Sequence, residues 1–521
     1  MTAPLDRVPG IPALARGLAT GAPDVSEFLP RSATPAAIAA HAAVVRSAFR
    51  PRAAAAGADP RLQALARGER AAVLTGQQAG LFGGPHLTLV KAVAAEKLAA
   101  DLSAAGTPAS AAFWCAGEDH DLVEVTRVVL PSPEGPRDFG PDPAPLAANR
   151  APVGALPIAA DLDAILAAAA ASLGGGPDED ALAALRGAHA GATYGEAFTR
   201  TLGWLLDGTL PVVDAADTAE KPALVPLAVR LVRERRDVRA LLEARGAALA
   251  KAGHPLQVKT DAAALPLFVR TGAERLLLVE EAGRFALKGR DGGFAEEDVV
   301  ARLESGHWLP SFSALTRPLA ASVLYPVGAT VLGPAEVAYW AQAWPLFAWA
   351  DIVPPAVLLR PFVAFETPWA RRLLAKLDLA LGDVLEGSDA LLRRKGAGSA
   401  RALLARVASI PERALADLDA ARPALVAVDA SLERAVAATR EKLSYSFEKL
   451  VEKTEAAAGR ADAQVAQQVR RLTDELLPDG KLAERLYPVL PYVLKLGRAA
   501  VVGALRRDLK WDEAGLQEIV L

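Results

Sequence analysis

AAVLTGQQAGLFGGPHLTLVKA, residues 71–92, sets four small apolar residues before TGQQAG, then LFGGPHLT, then an alanine-rich run carrying Lys91. The apolar run Ala71–Leu74 reads as a strand, and the run behind Pro85 reads as a helix. Strand, glycine-rich turn and helix in that order make a cradle for phosphate or carboxylate, because N–H groups at a helix N-terminus point at the anion. The glycines, Gly84 among them, let backbone approach a ligand closely. Gln77 and Gln78 offer uncharged donors and acceptors. The stretch is neither a Walker loop nor GxGxxG. A glycine-rich strand–helix turn is also structural about as often as it is functional.

Outward from this stretch, up to about residue 365, short apolar runs alternate with helical segments, the pattern of a parallel-sheet α/β domain. The candidate strands are Ala71–Leu74, Ala111–Cys115, Leu210–Val213, Arg275–Val279 and Leu324–Val327. Two insertions are expected. Residues 131–192 are rich in Pro, Gly and Ala, and 255–290 carries PLQVKT, ERLLLVE and RFALKG, short strands of a partly antiparallel appendage. The core domain is thus expected over 1–365.

From residue 366 to about 475 there is almost no strand signal. Thr367 and Pro368 read as an N-cap and first helical residue. An earlier helix carries Leu373, Leu377, Leu381 and Val384, and Gly396, Gly398 and Pro411 separate it from a long helical hairpin. Leu418, Leu425 and Leu432 stand seven apart, as do Leu443 and Leu450, with a one-residue slip between Val428 and Val436. That spacing predicts a coiled coil over 366–475, with an ordinary helical bundle as the alternative. The final segment, 476–521, regains aromatic residues and proline in ERLYPVLPYVLKLGR and is expected to pack back on the core.

At 521 residues the chain has room for two or three domains. A net charge of −3 and a pI near 6.2 give no basic face, so nucleic acid is not an expected partner. No run approaches the roughly 18–20 apolar residues of a membrane span, and MTAPLDRVPG lacks a signal-peptide pattern. One cysteine, Cys115, precludes an intrachain disulfide and a CxxC metal knuckle, and it reads as inert core. The chain reads as soluble and cytoplasmic.

Two further segments resemble sites. In AAFWCAGEDHDLVEV, residues 111–125, an apolar strand ends at Gly117 and releases Glu118, Asp119, His120 and Asp121. Ligands bind outside the carboxyl ends of strands in open α/β sheets, so this cluster and TGQQ are expected to face one crevice, with Thr75 and Gln77 on the same side. A solvated turn is the plain alternative. Consecutive residues cannot all point at one ion, so no metal is assigned. In RPLAASVLYPVGATVLGPAEVAYWAQ, residues 317–342, Gly333-Pro334 opens a helix that sets Glu336, Tyr339 and Gln342 on one face. Arg317, ahead of the strand, suits a carboxylate. The alternative is a helix with an exposed Glu and core aromatics. Asp214 and Asp217 mark a fourth strand end.

TGQQAGLFGGP with Lys91, FWCAGEDHDLVEV, AGHPLQV, LTRPL with LGPAEVAYWAQ, and YPVLPYVLKLGR occur in an order that resembles the cysteine-adding enzyme (cysteine ligase) family of bacillithiol biosynthesis, over nearly the whole chain. The resemblance implies a Rossmann-like, nucleotidyltransferase-like core and a coiled-coil domain that mediates homodimerisation. It also implies the last step of bacillithiol synthesis, addition of L-cysteine to glucosaminyl-malate. After Gly-Pro the family commonly shows an apolar residue and tyrosine, where this chain has His86 and Leu87. No HxGH or KMSKS string is present.

Amide formation from a carboxylate is uphill, so ATP or another nucleotide is the expected activating cosubstrate. On this reading the 76–84 turn holds phosphate or malate oxygens, and Gln77 and Gln78 hold sugar hydroxyls or an amino acid. Asp119 or His120 takes the proton from the attacking amine. Lys91 and Arg317 stabilise negative charge, and Thr75, Gly84, Glu118, Glu336 and Tyr339 complete the binding set. Two other readings stand beside it: a different adenylyl- or aminoacyl-transferring enzyme on the same fold, and a non-catalytic coiled-coil interaction protein.

Overall fold

The computed structural model describes residues 3–30, 34–51, 59–132, 134–140, 149–172, 176–259, 261, 263–396 and 399–521. They fall into two units, one of residues 3–367 with 481–521 and one of 368–480.

In the first unit, the apolar run at residue 71 starts a strand that continues through the polar residues to Gln77 (β1, Ala71–Gln77). It lies at the centre of a parallel sheet with Ala109–Cys115 (β2), Val212–Asp214 (β3), Val327–Leu332 (β4) and Ala356–Leu359 (β5), ordered β5-β4-β1-β2-β3. Every residue of β4 and the first five of β1 are buried, as strands covered on both faces must be. Helices Pro35–Ala48 and Leu87–Ala104 pack on this sheet. The first rides so close that a Cβ on Gly328 would stand 2.5 Å from the Ala42 Cβ, so β4 needs glycine there. Helix Leu87–Ala104 is alanine-rich and buried nearly all round, with Lys91 as the one ionisable residue of its first two turns.

Three sequence expectations are corrected. Leu324 ends a helix, Arg317–Leu324, opened by Pro318 in its first turn, and the strand begins only at Val327. Arg317 is therefore the first residue of that helix. Arg275–Val279 is not a core strand. It lies within Glu274–Glu281, in an antiparallel sheet with Ala264–Thr271, Arg284–Leu287 and Leu309–Phe312, because Gly272 and Gly283 provide left-handed turns at both ends. PLQVKT forms no strand among its described residues (Thr260 lies outside them). Gln342 holds it instead, its Oε1 accepting from the N–H groups of Gln257 (3.1 Å) and Val258 (2.9 Å). The tail contributes Leu516–Val520, paired in parallel with Phe362–Glu366.

The second unit is helical. Its long members, Ser399–Val428 and Leu432–Leu476, form an antiparallel hairpin turned at residues 429–431, where Asp429 Oδ1 accepts the Ser431 N–H at 2.8 Å. Arg440 pairs with Asp419 at 3.0 Å and Arg422 pairs with Glu433 across the hairpin. The heptad from Leu418 to Leu432 does not run through one helix. Leu432 opens the second helix, and the expected slip is the turn itself. Pro411 lies inside the first long helix, and Gly398 lies outside the described residues.

Candidate active site

In a sheet ordered β5-β4-β1-β2-β3 the chain reverses direction between β1 and β4, the switch point at which such sheets bind ligands. The ladder shows how the crevice opens there. β1 pairs with β2 as far as Gln77 and Cys115, but with β4 only as far as Leu74 and Thr330. Past that point Thr75 bridges the two strands by its side chain, Oγ1 donating to Val331 O at 2.8 Å. A cavity of about 470 Å³ lies beyond. That is within the usual size of small-molecule sites, roughly 300–1,000 Å³.

Of the residues singled out from the sequence, Thr75, Gln77, Gln78, Lys91, Asp119, Arg317, Glu336 and Tyr339 line this cavity. Lys91 is 1 % exposed and reaches back along its helix. Its Nζ donates to Gly76 O and pairs with Glu336 Oε2 at 2.6 Å. Burial pulls its ammonium below the ordinary value, and Glu336 opposes that only in part. Glu336 is doubly engaged, since the same oxygen accepts the N–H of Gly333 at the head of its own helix, Pro334–Ala343.

Asp119 is held from three sides. Arg317 Nη2 lies 2.5 Å from Oδ1, Arg275 Nη2 lies 3.8 Å from it, and Gln78 Nε2 donates to Oδ2 at 2.7 Å. Burial pushes the carboxyl up, but Arg317, Arg275 and Gln78 together outweigh it and hold it below the ordinary range. Arg275 is itself buried, its guanidinium over the Phe268 ring at 3.7 Å and its Nε on Ser311 Oγ at 2.7 Å.

The remaining candidates lie elsewhere. Gly84 does not line the cavity. The turn folds inward through three successive left-handed residues, Phe82, Gly83 and Gly84, and a Cβ on Gly83 would touch Thr201 and Leu205. The Phe82 N–H donates to His189 Nε2 at 3.0 Å. These glycines serve the turn and its packing. Glu118 faces away, in a buried ion pair with Lys221 at 2.7 Å. His120 is exposed and off the cavity, its Nδ1 3.1 Å from Arg275 Nη1. Partial burial, then the Arg275 guanidinium, lower its imidazole below the ordinary value. His86 is core. It stacks on Phe365 at 4.6 Å with Nδ1 3.0 Å from Tyr487 O, and burial takes it down to about 3. Asp214 accepts the Ala216 N–H at 2.9 Å, outside the cavity, and burial raises it to about 6. Cys115 is buried.

Sequence reasoning missed Trp114, Glu124, Arg360 and Arg485, which also line the cavity. Arg360 directly follows β5, the strand absent from the candidates, so an apolar run ending in arginine was the available signal. Two buried uncharged polar atoms on the wall, Gln78 Oε1 and Trp114 Nε1, have no hydrogen-bond partner among the described residues. One acceptor and one donor thus await a polar ligand. Among those residues no group of three or more His, Cys, Asp or Glu is placed to hold a metal ion, and no helix is long and apolar enough to cross a membrane.

Two family models match the chain. "Bacillithiol biosynthesis BshC, N-terminal Rossmann-like domain" covers residues 40–361, and "Bacillithiol biosynthesis BshC, C-terminal coiled-coil domain" covers 365–508. Similar proteins carry the name "Putative cysteine ligase BshC". One from Koribacter versatilis is 31% identical over 457 residues, 85% of this chain and 83% of that protein. One from Thermus thermophilus is 34% identical over 444 residues, 84% and 86% of the two chains. One from Geobacillus kaustophilus is 32% identical over 453 residues, 83% and 81%.

Proposed function

We propose, because this chain belongs to the bacillithiol biosynthesis BshC family, that it is a ligase joining the carboxyl of L-cysteine to the amine of glucosaminyl-malate in the last step of that synthesis. The observation that carries this reading is the switch-point cavity, where Lys91, Arg317, Arg360 and Arg485 share one wall system with the unpartnered Gln78 amide oxygen and Trp114 indole. Glucosaminyl-malate brings two carboxylates, sugar hydroxyls and an amine. The cations suit its carboxylates, and the amide and indole suit hydroxyl or ammonium groups. ATP or another nucleotide supplies carboxyl activation, and Arg485 is the residue we assign to its phosphates, since the buried Arg360 guanidinium is already paired with Glu484 at 2.7 Å. The work is done in the cytoplasm, where nucleotide and reduced cysteine are at hand.

The test is complementation. A bacillithiol-producing strain stripped of its own BshC should regain the thiol and clear accumulated glucosaminyl-malate when it expresses this protein. Persisting precursor, in cells that the native gene does restore, overturns the reading and favours another aminoacyl- or adenylyl-transferring enzyme.

We further propose that the protein works as a homodimer. Ile410, Leu425, Val428, Tyr445 and Leu450 of the hairpin are exposed, Val428 by 82 %, and a second copy would cover such residues. Light scattering on dilute protein should give twice the 54.2 kDa chain mass. A monomer at micromolar concentration removes the claim.

A further inference from the structure

Three carboxylates line the switch-point cavity: Asp119, Glu124 and Glu336. Two are committed, Asp119 to Arg317 and Arg275, Glu336 to Lys91 and the Gly333 N–H. Glu124 is not. Among the described residues it has no ion-pair partner, and Oε1 accepts a single long hydrogen bond, 3.4 Å from Gln77 Nε2. Its backbone is nevertheless fixed. Asp121 caps the short helix Leu122–Thr126, its Oδ1 accepting the Glu124 N–H at 3.1 Å, and one helical turn brings the Glu124 side chain back to the cavity.

We propose that Glu124 is the proton acceptor for the attacking amine, a role that rests on the ligase reading above. The carboxylate takes one proton from the glucosaminyl ammonium. The freed lone pair then attacks the cysteine carbonyl carbon, activated as a mixed anhydride with phosphate by the nucleotide cosubstrate. A C–N bond forms and the C–O bond to phosphate breaks, its electron pair leaving with the phosphate, which also carries off the second nitrogen proton. The charged groups around Glu124 fit this task. The Glu124 side chain is exposed at the edge of the cavity, and its partial withdrawal from water, then Asp121 and Asp119, raise its carboxyl to about 7, with Lys91 opposing the rise and Glu336 adding to it. A base poised there is ionised in a large fraction at neutral pH and still holds a proton well.

The experiment measures amide formation by the purified full-length protein from L-cysteine, glucosaminyl-malate and ATP, as a function of pH. In wild type, kcat should rise through pH of about 7. Glu124→Gln should lower kcat by about 10²–10⁴ with little change in KM, and should lose that rise. Glu124→Ala should regain part of its rate with added acetate. Folding gives an independent readout. A carboxyl raised in the folded state costs stability progressively as pH climbs from its ordinary 4.5 to about 7. The melting temperature of Glu124→Gln should therefore exceed that of wild type increasingly over that range, with a constant gap above it. Wild-type protein that makes no amide overturns the ligase reading and this assignment with it. An active wild type matched within threefold by Glu124→Gln overturns this assignment alone.

Discussion

Lys91→Met should lose amide formation and melt several degrees below wild type. The methionine fills the space of the lysine stem, so the cost comes from the charge. Lys91 is 1 % exposed, and its departure strips the Glu336 carboxylate of its cation and Gly76 O of its donor. Removing one partner of a buried ion pair typically costs about 3–5 kcal/mol. The Glu336 side chain keeps the Gly333 N–H and is 22 % exposed, which places the loss at the lower end. At about 2.1 cal/mol/K of unfolding entropy per residue, about 3 kcal/mol in a unit of roughly 400 residues corresponds to a fall of roughly 3–4 °C. Lys91→Met with Glu336→Gln should recover most of that fall, since no uncompensated charge remains. It should not recover activity, because the ammonium facing the cavity is still missing. A double variant that melts and works like wild type would reduce the pair to scaffolding.

That the sequence places Lys91 in the cavity, yet not what it does there, is a general feature of this molecule. The central strand and the helix behind it follow from local signals: an apolar run, glycines and proline, then alanines. The strands that did not follow were decided by distant contacts. Val327–Leu332 was read three residues early because Ala320 to Leu324 is apolar enough for a strand, while Pro318 commits those residues to a helix. Ala356–Leu359 is only four residues long and is a strand by virtue of pairing with β4. The seven-residue interval from Leu425 to Leu432 spans the hairpin turn at 429–431, so it joins leucines of two different helices.

The site divides the same way. Residues at the ends of β1 and β2 were found because polar side chains interrupt apolar strands there. Arg275 comes from the antiparallel insertion and meets Asp119 only through tertiary packing, a contact between residues 156 apart in the chain. The four adjacent ionisable residues at 118–121 looked like one cluster. In a turn, successive side chains diverge, so Glu118 goes to Lys221, Asp119 to the cavity, His120 outward and Asp121 to the cap. Glu124 reaches the cavity because it stands a helical turn beyond that cap, a placement that the Asp121-to-Glu124 spacing encodes once the helix is known.

Asp119→Asn should also silence the enzyme, and the pH dependence separates its reason from that of Glu124. A carboxylate held below its ordinary range stays ionised at neutral pH and is a weak proton acceptor. Its task is to hold Arg317 on the cavity wall and to balance Arg275, whose side chain is 2 % exposed. Asparagine leaves both guanidinium groups without that charge and frees Arg317 to move. A displacement of about 1 Å at such a group costs on the order of 10²-fold in rate. The loss in stability, near the lower end of the roughly 3–5 kcal/mol for a broken buried pair, has its own pH signature. A carboxyl lowered in the folded state contributes stability that is complete above its ordinary 3.8 and is lost as pH falls through the folded value. The melting gap between wild type and Asp119→Asn should hold from neutral pH down to about 4 and close only in stronger acid. In the rate profile, Asp119→Asn should keep the rise through about 7 at reduced amplitude, because Glu124 still supplies it. If that rise disappears with Asp119→Asn and survives in Glu124→Gln, the proton goes to Asp119 and the two carboxylates exchange roles.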